Sequence, residues 1–105
     1  MSLPVDISFQ GVPHSKAVEE AVVSRASRLT HIRDDIMRCR VSVALGGKHQ
    51  HQGKPFDVHV HVFTPRQTHV SSNTSHEDPY TAVHEAFTHV ERMLVESNGK
   101  RRAKS

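Results

Sequence analysis

From Met37 to Leu45 the chain alternates without a break. Met37, Cys39, Val41, Val43 and Leu45 fall on one side, and Arg38, Arg40, Ser42 and Ala44 on the other. Successive side chains of an extended strand point to opposite faces, so this segment reads as a strand with one dry and one wet face. Such a strand belongs in a sheet covered on one side only, which favours antiparallel neighbours. A second alternation spans 56–64, with Val58, Val60 and Val62 on one face and Asp57, His59, His61 and Phe63 on the other. Between them, Gly46 to Pro55 is polar and glycine-bearing and reads as a hairpin loop. A third strand, 5–9, places Val5, Ile7 and Phe9 together before Gly11 and Pro13 break it. Residues 67–74 form a weaker, more polar strand suited to a sheet edge.

Two stretches carry the helical period instead. From Ser15 to Thr30, Val18, Ala21, Val22, Ala26 and Leu29 make an apolar stripe, with Ser15 as the N-cap. The second helix opens at Asp78-Pro79, an acceptor for free backbone N–H groups followed by a residue that needs no donor. Its stripe is Tyr80, Val83, Ala86, Phe87, Val90 and Leu94, and Asn98-Gly99 reads as its stop. The order is therefore β-α-β-β-β-α. The economical solution is an α+β two-layer sandwich, with both helices on one face of a four-stranded sheet. The first two strands, joined through a helix, are expected to be parallel with a right-handed crossover.

At 105 residues the chain is expected to form a single domain over residues 1–96. A basic, flexible tail follows over residues 97–105. Lys plus Arg is 14 and Asp plus Glu is 11, but Lys100, Arg101, Arg102 and Lys104 lie in the last six positions. Without them the balance is 10 cations against 11 acids, so the body is near neutral and the positive character is a property of the tail. No apolar run approaches the roughly 20 residues that span a bilayer, and no start resembles a secretion signal. A single cysteine, Cys39, excludes an internal disulfide framework, fits a cytoplasmic protein, and reads as a small buried hydrophobe.

The residues give little for catalysis. There is no Gly-x-Ser-x-Gly elbow and no phosphate-cradling glycine loop, and Glu77-Asp78 open a helix where capping explains them, so no enzyme, cofactor or small-molecule substrate is expected. His59 and His61, at i and i+2 on one strand face, are the sharpest metal candidates, with His49 and His51 repeating the spacing in the loop before them. A His-rich metal-binding or metal-sensing domain is thus the alternative reading. It is set against a solvated histidine-rich face, since no paired-cysteine or His-Glu-x-x-His pattern accompanies it. The arginines point to a polyanion. Arg25 and Arg28 lie at i and i+3 on the first helix, Arg92 ends the polar face of the second, Arg38 and Arg40 sit on the wet sheet face, and the tail continues from Arg92. Phe63 is the only aromatic candidate on that face, so structured RNA read by shape and phosphates is favoured over stacked single-stranded bases.

The element order, the opening Val-Asp-Ile-Ser-Phe-Gln-Gly-Val and the string Glu77-Asp78-Pro79-Tyr80-Thr81-Ala82-Val83 resemble the short ribosome hibernation-promoting factors. These are also called ribosome-associated translation inhibitors or sigma-54 modulation proteins. The resemblance covers roughly residues 4–96. It implies a non-enzymatic cytoplasmic protein that binds the small ribosomal subunit and its rRNA under stress or in stationary phase. Such a protein occupies the channel of messenger RNA and transfer-RNA anticodon arms, and blocks translation by exclusion. Carried over by position, Arg25, Arg28, Arg92, Lys100, Arg101, Arg102 and Lys104 are the expected rRNA contacts, with Asp78 as a cap and Tyr80 as a core anchor. The sequence departs from the family pattern in its second helix, where His84, Glu85, His89 and Glu91 stand in place of several lysines. The older family name also suggests a partner module of the transcription apparatus.

Overall fold

The computed structural model describes residues 3–45, 56–71 and 74–104, with side chains as far as Ser97. Strand β1 (Val5–Gln10) leads into helix α1 (Lys16–Leu29), followed by β2 (Arg38–Leu45) and β3 (Phe56–Thr64). Two short strands, β4 (Gln67–Val70) and β5 (Thr74–His76), precede helix α2 (Pro79–Lys104). The sheet runs β1-β2-β3-β4, with β1 and β2 parallel and β2, β3 and β4 antiparallel. The expected hairpin loop 46–55, with His49 and His51, lies outside the described residues.

Alternation becomes packing directly. Register places Cys39 beside Val62, Val41 beside Val60 and Val43 beside Val58, so six apolar side chains form one patch. Val18, Val22, Ala26 and Leu29 of α1 and Ala82, Val83, Ala86, Phe87, Val90 and Leu94 of α2 close over it, and all are buried. Burying each of these valine- to phenylalanine-sized groups is worth on the order of 1.5–3 kcal/mol. Cys39 is wholly buried in this patch, and burial first, then the nearby Asp6 carboxylate, push its thiol up to about 12. It is an inert part of the core.

Both helix starts are capped as the sequence indicates. The Val18 N–H donates to the Ser15 hydroxyl at 3.2 Å. The Tyr80 N–H donates to Asp78 Oδ1 at 3.0 Å, and the Thr81 hydroxyl to Asp78 Oδ2 at 3.1 Å.

Four expectations are corrected. The strand read over 67–74 is two strands, both on the outer edge of β3. His61 pairs with Val70 and Val58 with Thr74, so the register shifts by one residue between them, as in a bulge. Ser71 holds the junction, donating its N–H to Val60 C=O at 2.9 Å and accepting the Val60 N–H on its hydroxyl at 2.9 Å. The shift lets His69 and Thr74, of opposite parity, both face the core. Met37 lies just before β2 and is exposed, because the chain reaches the sheet only at Arg38. Tyr80 is 47% exposed instead of a core anchor, since in the first turn of α2 the covered positions are Ala82 and Val83. Finally, α2 does not stop at Asn98-Gly99 but runs to Lys104. One helical glycine costs about 1 kcal/mol, and Lys100, Arg101, Arg102, Ala103 and Lys104 are all strong helix formers.

Candidate nucleic-acid interface

The two helices are parallel neighbours. Arg25 of α1 reaches Glu91 of α2, and Arg33, just beyond α1, reaches Ser97. These contacts span 66 and 64 residues, a nearly constant offset, so the helices run in the same direction and end at the same pole. The sheet brings more chain there. The Met37 N–H donates to Phe63 C=O at 2.7 Å, setting the start of β2 beside the end of β3, and the turn at Pro65-Arg66 follows. Arg28, Arg33, Arg38, Arg66 and Arg92, with Arg40 two residues into β2, therefore gather at one end of the molecule. Helix α2 projects from this end through Lys104. The last turns of both helices carry the negative ends of their dipoles, where cations are favoured.

The fold itself occupies several of these cations. Arg33 is 7% exposed; its Nε and Nη2 fork onto Asp35 at 2.9 and 2.6 Å, and its Nη1 donates to the Ser97 hydroxyl at 3.0 Å. This links the α1–β2 connection to the end of α2. Arg25, expected as a phosphate contact, is instead drawn between the helices with a side chain 12% exposed. Its Nη2 lies 3.1 Å from Glu91 Oε2, its Nη1 donates to His84 Nδ1 at 2.6 Å, and its guanidinium sits 5.7 Å from the Phe87 ring centre. The i, i+3 spacing puts Arg25 and Arg28 near one face of α1, but α2 covers only the first. Arg28 and Arg92 are exposed, with no partner among the described residues. Arg92 edges a shallow groove of about 290 Å³ lined by His84, Glu85, Thr88 and His89 along α2. The expected contacts Lys100, Arg101, Arg102 and Lys104 continue the same helix, and their side chains lie outside those described.

The uncovered sheet face holds a second cationic group. The guanidinium carbons of Arg38 and Arg40 lie 5.1 and 5.8 Å from the centre of the Phe63 ring. Arg38 also pairs with Asp6 at 3.1 Å. His61 stands across from Arg40 and beside His59. Partial burial first, then His59 and Arg40, hold the His61 imidazole below the usual histidine range. Its Nδ1 is buried without a hydrogen-bond partner among the described residues. His59 and His61 thus share a face as the spacing indicates, but no third ligand joins them: no group of three or more metal-ligating side chains comes together among the described residues. A tetrahedral zinc site takes three or four protein ligands. Nor is any described helix long and apolar enough to cross a membrane.

Arg33 and Arg66 are the polar-end residues that sequence patterning did not single out. No local signal marks them, because their placement at the same end as Arg28 and Arg92 comes from the sheet topology and not from spacing. Among the described residues the opposite pole is mostly acidic, with Asp57 on β3, Glu77 and Asp78 before α2, and Glu19 and Glu20 in the first turns of α1, against the cation Lys16.

Fold and charge together define a small two-layer α+β protein with arginines gathered at one end, where Asp6, Asp34, Asp35, Glu91 and Glu96 also lie. Residues 5–102 match the family model described as sigma 54 modulation protein / S30EA ribosomal protein, and the chain belongs to that family. Among solved structures, a ribosomal subunit interface protein from Coxiella burnetii superposes with a TM-score of 0.75 at 20% identity, covering 92% of this chain and 99% of its own. The N-terminal domain of Protein Y from Thermus thermophilus gives a TM-score of 0.73 at 17% identity, covering 91% and 98%. At such identities these likenesses establish the shared fold. No curated protein matches the chain closely enough to count.

Proposed function

We propose that this protein binds the small ribosomal subunit with its basic pole against ribosomal RNA. There it occupies the channel where messenger RNA and anticodon arms sit, and so silences translation when growth slows. The observation that carries this reading is the convergence of unpaired Arg28 and Arg92 with the α2 extension at one pole of a chain of this family. Phosphates reward such groups by ion pairing and counterion release, and the guanidinium fork fits phosphate oxygens. Arg28, Arg92, Lys100, Arg101, Arg102 and Lys104 are the proposed contacts. Arg25 becomes a positioning residue that fixes α1 against α2. The action is by occupancy, with no bond made or broken, and a ribosomal partner places the protein in the cytoplasm.

Two measurements test this. Added to a cell-free translation extract, the protein stops synthesis at a stoichiometric ratio to ribosomes and consumes no substrate. On purified small subunits it competes with messenger RNA and transfer RNA for binding. Synthesis at full rate in several-fold excess of protein, or binding that leaves both RNAs in place, would overturn the proposal.

A further inference from the structure

The two edges of the sheet are built differently. On the β4–β5 side the edge is broken by the register shift at Ser71 into strands of 4 and 3 residues. Bulges and short strands are the usual protection of an edge against added chains. On the other side β1 is 6 residues long, regular, and free of proline, lysine or bulge between Val5 and Gln10. Among the described residues no strand pairs with its outer edge.

The phase of β1 follows from one bond. The Cys39 N–H donates to Pro4 C=O at 3.0 Å. In a parallel ladder alternate residues face the partner strand, so Pro4, Asp6, Ser8 and Gln10 are turned toward β2. The N–H and C=O groups of Val5, Ile7 and Phe9 are then turned outward. Their side chains point to the helix layer, but α1 leaves them only half covered. A groove of about 390 Å³ remains between β1 and α1, lined by Val5, Ile7, Glu19, Glu20, Val23 and Ser24. Val23 is 47% exposed on its wall. An incoming strand would find free backbone partners along its length and an apolar slot for alternate side chains, which is how strand addition obtains affinity and specificity.

Charge selects the occupant. Glu19 and Glu20 line the groove, with His14 facing Glu19 at 3.6 Å, and Glu20 has no partner among the described residues. A second copy paired antiparallel about Ile7 would turn the two Glu19-Glu20 pairs toward each other, which disfavours self-association. We infer that the β1 edge and the β1–α1 groove receive an extended peptide of a protein partner, added as a new edge strand whose groove-facing side chains set apolar residues against Val5, Ile7 and Val23 and a lysine or arginine against Glu19 and Glu20. This site lies apart from Arg28, Arg92 and the α2 extension, so it leaves the RNA-facing pole free.

A blocked, fluorescein-labelled peptide Thr-Val-Thr-Val-Thr-Lys-Thr, with both valines and the lysine on one strand face, tests this against the same peptide with Glu in place of Lys, by anisotropy and by amide exchange in NMR. The lysine peptide is expected to bind and to slow exchange at the Val5, Ile7 and Phe9 amides, and the glutamate peptide to bind at least tenfold more weakly. Val23→Lys and Glu20→Lys, both at exposed positions, should each weaken the lysine peptide at least tenfold while leaving the urea midpoint and small-subunit binding unchanged. Equal binding of the two peptides, protection mapping to the open sheet face, or indifference to both substitutions would overturn the inference. Concentration-dependent dimerisation that protects the same amides without peptide would also overturn it, by making a second copy the occupant.

Discussion

The two poles of this molecule use charge differently. At the acidic pole, where both helices begin, the carboxylates do local work. Asp78 holds the first turn of α2, and Glu19 sits near the positive end of the α1 dipole. At the basic pole, folding occupies some cations and leaves others over. Arg33 is locked onto Asp35 and Ser97 and Arg25 onto Glu91, while Arg38 pairs with Asp6 at the surface. Arg28 and Arg92 have no such task. A charge that folding uses is weak support for binding, whereas exposed charges that folding leaves idle, gathered at one end, are what a polyanion would engage.

The largest expected effect concerns the charges that folding uses. Asp35→Ala strands the Arg33 guanidinium in a nearly closed site and should cost about 3–5 kcal/mol in urea unfolding. A double variant with Arg33→Met should recover much of that loss. If Asp35→Ala were silent, the basic pole would not be divided into structural and spare cations.

The next effect concerns the spare charges. Arg28→Ala with Arg92→Ala should weaken cosedimentation with small subunits about tenfold, near 1.4 kcal/mol, with an unchanged urea midpoint. Lys16→Ala, at the opposite pole, should change it less than twofold. At the acidic pole, Asp78→Ala should lower stability by about 1 kcal/mol through the lost cap, leaving affinity intact.

The smallest effect separates the poles by pH. His69 is 2% exposed beneath α2, with Nε2 3.4 Å from the Thr64 hydroxyl. Burial first, then Arg33, hold its imidazole below the usual histidine range, with Asp35 opposing them. The folded state thus favours neutral His69. Its contribution is complete above the unfolded value of about 6.5 and declines as pH falls from there toward the lowered folded value. A urea midpoint that falls below pH 6.5 in the parent protein, and falls less in His69→Leu, is expected.

Most of the fold was legible because alternation and helical period are local. Val41 and Val43, Val58 and Val60, and Val83 and Phe87 announce their faces through their neighbours alone. The residues that misled did so where tertiary context overrode a local rule. Tyr80 has stripe spacing but stays exposed, since Ala82 and Val83 take the covered positions at the start of α2. Asn98-Gly99 has stop chemistry but is followed by strong helix formers. The break at Ser71 was hidden because a bulge reverses parity, so His69 and Thr74 share a face that no alternation could reveal. The site was legible only in composition. Arg28 and Arg92 were identifiable as basic residues on helices, but the occupation of Arg25 by Glu91, 66 residues away, and the placement of Arg33 and Arg66 at the same end depend on the tertiary topology.

The central claim is that the spare cations of one pole meet ribosomal phosphates. It is tested most directly by the salt dependence of binding to purified small subunits, for the parent protein and for a variant with Arg28, Arg92, Lys100, Arg101, Arg102 and Lys104 all changed to Ala. Each lost phosphate contact should lower the log–log slope by about 0.7, so the variant should bind far more weakly with a slope smaller by about four. Equal affinity and an equal slope in the two proteins would contradict the account.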